Sequence, residues 1–330
     1  MNQSIRARTE EIEQQTLSGL ASLAAASKGR EEAEADDDLQ TPFQLDRERI
    51  VHSKAFRRLG HKTQVFLAPE GDHYRVRLTH TLEVTQVART IARALRLNED
   101  LVEAICLGHD LGHTPFGHLG EEVVADFHPG FRHNLQSVRI VEVLESLNLT
   151  WEVRDGIANH TWSMPMPSTL EGQIARYADR IAYINHDIDD AIRAGILTGA
   201  ELPQETTSVL GATHAERITR MVSDLVEASL GQDEIGLSDR VFDAMAATRA
   251  FLFEKVYLGR VAESTRVTVQ NVLRTLLEHH AGLAAADLGA ESDPKVTAVD
   301  YVAGMTDRFA LRAFEELVER PAPVFGVEGP

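Results

Sequence analysis

The sequence predicts an all-α protein with one small β-hairpin near residues 63–79. Three observations carry this expectation. Apolar residues recur every three or four positions over most of the 330-residue chain, the period of a buried helix face. Only "KTQVFLAPEGDHYRVRLT" reads as two short strands around a Pro/Gly-containing turn. No internal repeat and no clear linker divides residues 41–320, so a single helical domain is the simplest organisation.

Taken in order, residues 9–26 are expected to form a helix, and the acidic, apolar-poor "REEAEADDDLQ" makes 28–40 mobile. From residue 46, Val51, Ala55 and Leu59 step helically with Phe56. After the hairpin, His80, Val84, Val87, Ile91 and Leu95 share one face. Asn98 can cap the next helix, with Glu99 and Asp100 favourably placed in its first turn. In that helix Leu101, Ile105 and His109 share a face. "FRHNLQSVRIVEVLESLN" and "WEVRDGIANH" follow as helical stretches. A long helix covers about 170–194, with Ile174, Ala178, Ile181, Ile188 and Ile192 on its apolar side. Helical patterns continue near 212–230, 238–258, 263–281 and 295–319, and "PAPVFGVEGP" ends the chain as a loose tail over 321–330.

Composition bounds the class. With 43% hydrophobic residues the chain can bury a sizeable core. It has no run of about eighteen apolar residues and no apolar signal-peptide core, so no membrane association is expected. A single cysteine, Cys106, excludes an internal disulfide and fits a reducing cytoplasm. A net charge of −18 argues against broad binding to duplex nucleic acid. Residues 41–80 nevertheless carry eight Lys/Arg against four Asp/Glu. Surface salt bridging explains any one of these cations. Together they suggest an anion site of limited size, such as one for a small polyphosphate.

The stretch "CLGHDLGHTPFGHLGEE", Cys106 to Glu122, concentrates the chemistry. His80 and His109 each end an apolar stripe, which points both rings inward. A lone inward histidine is more often a satisfied core residue than a ligand. Asp110 beside His109 changes that balance, because a buried carboxylate needs a cation or donors. Asp179, Asp187 and Asp190, with Tyr183, offer a further carboxylate from a distant helix. Two imidazoles and two carboxylates suit a divalent ion of Mn, Fe, Co, Ni or Zn, and also Mg where phosphate and water complete the shell. Without thiolate partners a structural zinc site is disfavoured. Gly112, Gly117 and Gly120 either let phosphate approach the backbone or simply punctuate a loop.

His80, the His109-Asp110 doublet and Asp179 resemble the H…HD…D signature of the HD-domain metallophosphohydrolases. The flanking segments "TPFQLDRERIVHSKAFRRLGHKTQVF", "GDHYRVRLTHTLEV", "GHDLGHTPFGHLGE", "FRHNLQS" and "YADRIAYINHDIDDAIRAGIL" are similar, in order from Thr41 to Leu197, to the deoxynucleoside triphosphate triphosphohydrolases of the dGTPase-like group. That resemblance implies an HD-type helical fold and cleavage of a dNTP to deoxynucleoside and inorganic triphosphate. It implies one divalent ion (Mn2+, Mg2+, Fe2+ or Co2+) on His80, His109, Asp110 and Asp179. By match to the family motif, His113, His118 and Glu121 face the scissile bond, and His133 matches a further active-site histidine of some members. Arg77 stands where the family places an α-phosphate arginine. Gln64 matches a residue facing the 3′-hydroxyl, and Tyr183 and Asp187 stand where the deoxyribose is read. Arg57, Arg58, Lys62 and Arg75 are candidates for the outer phosphates or for a neighbouring subunit's nucleotide. The family forms homo-oligomers, often tetramers or hexamers, and whether a second dNTP acts as an allosteric activator is left open by the sequence. The alternatives are an HD phosphodiesterase or nucleotidase on another phosphate ester, and a dNTP-sensing regulator. No motif fixes the preferred base.

Overall fold

Helices form where the apolar period runs, and side chains decide where they end. The computed structural model describes residues 4–64, 75–257, 263–287 and 293–319; among these there are fourteen α-helices and no sheet. The first, α1 (Ile5–Thr16), stops short of the expected residue 26. Ser18 and Gly19 are poor helix formers. The chain turns back there, and Glu13 accepts from Ala24 N at 2.8 Å in a short 3-10 turn at Ala24–Ala26. Residues 28–40 carry no α-helix. Arg30 pairs with the buried Asp46 and donates to the carbonyls of Asn148 at 2.7 Å and Pro42 at 3.0 Å.

The second helix, α2 (Pro42–His52), opens in a capping box: Gln44 N donates to Thr41 Oγ1, and Thr41 N to Gln44 Oε1. The expected continuation from Val51 to Leu59 is broken at Ser53. Its hydroxyl accepts from Phe56 N at 3.0 Å and starts α3 (Lys54–Arg58). Val51 is consequently exposed, and Ile50 fills the core position instead. The expected hairpin is present only as an antiparallel bridge between Thr63 and Val76; its residues 65–74 lie outside the described residues. Arg77 to Thr79, expected in the second strand, form the first turn of α4 (Arg77–Leu95).

Asn98 caps α5 (Glu99–Gly108) as expected, accepting from Asp100 N at 3.1 Å and Leu101 N at 3.2 Å. Then come α6 (Gly117–Phe127), α7 (His133–Arg139), α8 (Trp151–Asn159) and α9 (Leu170–Arg193). The helix α9 buries Ile174, Ala178, Ile181, Ile184 and Ile188, while Ile192 is largely exposed at the helix end. These side chains interlock with Val84, Ala88 and Ile91 of α4 and Leu101 and Ile105 of α5. Each fully buried isoleucine or leucine contributes about 2 kcal/mol. The α4–α5–α9 contact is therefore a continuous buried core, and all the candidate metal donors stand on it or at its edge.

Two later helices, α10 (His214–Ser229) and α11 (Asp239–Leu252), extend the same core. The last three are α12 (Glu263–Asp287), α13 (Pro294–Ala303) and α14 (Asp307–Glu319). The single pattern expected over 295–319 is thus two helices. A second apolar cluster joins Leu273, Leu276, Leu277 and Val302 from these helices to Phe116, Val123 and Val124 at α6. The C-terminal helices thereby press on the loop that carries the histidines. Among the described residues no helix is long and apolar enough to cross a membrane.

Candidate active site

Three helices aim their donors at one point. His80 comes from the first turn of α4, His109 and Asp110 from the end of α5, and Asp179 from the middle of α9. Donor atoms of His80, His109 and Asp110 lie within 4.8 Å of one another. Asp179 Oδ1 is 3.2 Å from His80 Nε2 and 3.8 Å from His109 Nε2. His109 Nδ1 donates to the Cys106 carbonyl at 2.6 Å, which leaves the Nε2 lone pair facing the cluster. That Nε2 is buried and has no hydrogen-bond partner. An orphaned imidazole nitrogen beside two carboxylates is the donor set a divalent cation fits. Although burial opposes it, the neighbouring His109 and Arg77 hold the Asp110 carboxyl well below the usual range. Burial likewise opposes ionisation of Asp179, and the His80 hydrogen bond outweighs it.

Beside this cluster stands a second group built around Glu121. Its Oε1 accepts from His133 Nδ1 at 2.8 Å, while its Oε2 is 3.7 Å from His113 Nε2 and 3.9 Å from His118 Nδ1. His113 stacks on His133 with ring centroids 4.8 Å apart. Burial is the largest influence on Glu121 and would raise its pKa, but the adjacent His133 drives it far down, so the carboxylate is ionised. Burial would lower His133, and Glu121 raises it instead. His113 is pushed well down by burial and by Arg77. The two stacked rings are thus pushed in opposite directions within one site. The cavity between the two groups measures about 250 Å3, and its walls also include Gln64, Arg77, Tyr183, Arg180 and Arg249.

Residues 77–184 match the HD domain and residues 235–316 the phosphohydrolase-associated domain. A relative from Caldanaerobacter subterraneus subsp. tengcongensis, named deoxyguanosinetriphosphate triphosphohydrolase-like protein, is 52% identical over 97% of each chain. The chain belongs to this dGTPase-like family. A second member so named, from Desulfatibacillum aliphaticivorans, is 47% identical over 95% of this chain and 98% of its own. Among solved structures, a phosphohydrolase from Bacteroides thetaiotaomicron superposes with a TM-score of 0.53 at 18% identity, covering 83% of this chain and 70% of that one. That likeness speaks to the helical fold alone.

Within the dGTPase-like chain, several expected site residues stand elsewhere. Lys62, expected at the outer phosphates, is buried with its ammonium donating to the carbonyls of His113 at 2.5 Å and Ala303 at 2.8 Å. It braces the histidine loop against the C-terminal helices. Arg57 and Arg58 are exposed and do not line the cavity; Arg57 donates to the His52 carbonyl at 3.0 Å. Arg75 pairs with Glu83 and Asp190, not with the cavity. Asp187 is fully buried beside Tyr183 and is not part of the cavity wall. Burial, with Asp190 nearby, holds its carboxyl well above the usual range.

Other residues of the dGTPase-like site had no role in the sequence reading. His160 Nε2 meets His133 Nε2 at 3.2 Å, and with Asp110 these two form another group of converging donors. Burial and the neighbouring His109 lower His160 to about 3. Asp307, at the start of α14, accepts from Phe116 N at 3.0 Å and from Thr63 N at 2.9 Å, pinning the loop before α6. There Phe116 takes a left-handed backbone, φ 64°, that a bulky residue adopts only when held. Arg180 follows Asp179 directly, a signal the sequence did contain. Arg249 of α11 had none, because only the tertiary fold brings it to the cavity.

Proposed function

We propose that this chain cleaves a deoxynucleoside triphosphate at its α-phosphorus, releasing the deoxynucleoside and inorganic triphosphate. The names of its relatives make dGTP the first substrate to test. One observation carries the reading: one cavity is lined by His80, Asp110 and Asp179 of the metal-donor cluster, by His113, His118 and His133 around Glu121, and by three arginines. His80, His109, Asp110 and Asp179 would hold one divalent ion, Mn2+, Mg2+, Fe2+ or Co2+, which when bound supplies Lewis acidity toward the α-phosphate.

The chain's own residues do the rest. Arg77, Arg180 and Arg249 neutralise phosphate oxygens as charge develops. The oxygen of water bonds to the α-phosphorus, and the bond to the 5′ oxygen breaks. The Glu121, His133, His113 and His118 group takes up a proton from water and delivers one to the departing 5′ oxygen. Tyr183 closes the C2′ side of the sugar, with Asp187 behind it. Gln64, whose Oε1 is buried without a partner, accepts from the 3′-hydroxyl. The exposed Arg57 and Arg58 are kept for a second nucleotide bound between copies in a homo-oligomer, a tetramer or hexamer, which light scattering with and without dNTP tests.

The deciding experiment is turnover of the four dNTPs, singly and mixed, with Mn2+ or Mg2+, followed by product chromatography. Inorganic triphosphate is the expected product. Monophosphate or orthophosphate would assign the chain to a phosphodiesterase or nucleotidase instead. Stoichiometric binding without turnover would make it a regulator.

A further inference from the structure

A chain of side chains, buried at His186 and half-exposed at Glu83, crosses the α4–α9 contact behind His80. Glu83 follows His80 by three residues on α4, and His186 follows Asp179 by seven on α9, so each pair shares a helix face. His186 is 1% exposed, and its Nδ1 lies 3.2 Å from His80 Nδ1. The two rings meet edge to face, with centroids 5.3 Å apart. On its other side, His186 Nε2 rests against a Glu83 carboxylate oxygen. Arg75 Nε holds that oxygen from 3.2 Å. The ring of His214 stacks parallel on His186, with centroids 6.2 Å apart.

The proton positions in this chain follow from chemistry. A ring nitrogen against a carboxylate must carry its hydrogen, because a lone pair there would face an anion. In the neutral ring His186 Nδ1 is therefore the acceptor. When a cation stands between His80 Nε2 and Asp179 Oδ1, which lie 3.2 Å apart, that Nε2 gives its lone pair to the cation, so the ring's one hydrogen is on Nδ1 and is donated to His186. His109 reaches the same state by a shorter route, through the Cys106 carbonyl. His80 has no such carbonyl partner and relies on a second histidine.

We infer that His186, anchored by Glu83, is a positioning residue that fixes His80 as the Nδ1–H tautomer and so presents its Nε2 lone pair to a divalent cation. This rests on the reading of His80 as a metal ligand. It is independent of which phosphate ester is cleaved. Outer partners of ligating histidines are worth about 10- to 100-fold in metal affinity.

The test uses the full-length protein and Mn2+ in competition with a chelator. His186→Phe fills the space but cannot accept, and should weaken Mn2+ binding by about 10- to 100-fold. His186→Gln can accept from His80 and donate to Glu83, and should recover most of the affinity. Glu83→Ala keeps the buried ring, so it remains informative should His186→Phe fail to fold; it should weaken Mn2+ binding by a smaller factor. Nitrogen NMR of the histidine rings in protein saturated with diamagnetic Mg2+ should find the His80 proton on Nδ1. Wild-type affinity in both His186→Phe and Glu83→Ala, or a His80 proton on Nε2 in the Mg2+-saturated protein, would overturn the inference. Mn2+ binding that follows the expected series in a protein that turns over no dNTP would support it while overturning the proposed activity.

Discussion

Arg77 Nη1 donates to Asp110 Oδ2 at 2.7 Å, with both side chains almost wholly buried. Asp110 is therefore shared between the guanidinium and the metal-donor cluster. Removing one partner of a buried pair leaves an uncompensated charge, at a cost of about 3–5 kcal/mol. Arg77→Ala should lower the melting temperature of metal-free protein, and Mn2+ should restore much of it by neutralising Asp110 instead. Melting curves with and without Mn2+ check this; equal losses in both would show that Arg77 does not act through Asp110.

Asp110→Ala should abolish Mn2+ binding and turnover together while most of the helix content remains. The substitution removes an anionic donor beside His80 and His109, whose imidazoles are neutral when they ligate. Elemental analysis paired with circular dichroism reads it, and full metal occupancy in the variant would reject this ligand set.

Glu121 is the hub of three histidines, so Glu121→Gln should remove the charge that holds His133 and disturb all of them. Turnover should fall by about a hundredfold or more, with Mn2+ binding retained. His118→Ala should fall in the same direction. Near-normal rates in both variants would make this loop structural.

Tyr183 stands one helical turn after Asp179, at the cavity wall, with its ring 6.0 Å from that of His118. A sugar gate there should give a preference for dGTP over GTP of about tenfold to a hundredfold. Tyr183→Ala should narrow the gap in kcat/KM rather than lower both values equally. A variant that keeps the whole preference would place the gate elsewhere.

Burial, with Arg77 nearby, lowers Lys62 from 10.5 to about 7. The unfolded chain then binds more protons than the folded one between about pH 7 and pH 10, so this group makes stability rise with pH across that window. Lys62→Met has no such proton, and it also leaves two carbonyls unpaired, at about 1–3 kcal/mol. Urea unfolding at several pH values should show wild type gaining on the variant between pH 7 and pH 9. A constant difference would contradict the lowered value.

The all-α class, the long helix α9, the Asn98 cap and the His109-Asp110 doublet were legible in the sequence because each is local. A helical period, a capping residue and a His-Asp doublet are properties of neighbouring positions. Helix ends were less legible: Ser53 divides α2 from α3, and Arg77 to Thr79 begin a helix instead of ending a strand, because cap hydrogen bonds and the packing of α4 override local propensity. Function within the cationic segment 41–80 was undecidable from charge alone. The fold sends Arg77 to the cavity, buries Lys62 under the histidine loop and leaves Arg57 and Arg58 at the surface. Only the tertiary structure could bring Arg249 to the cavity and His186 behind His80, since each contact joins helices far apart in the chain and is set by how those helices pack.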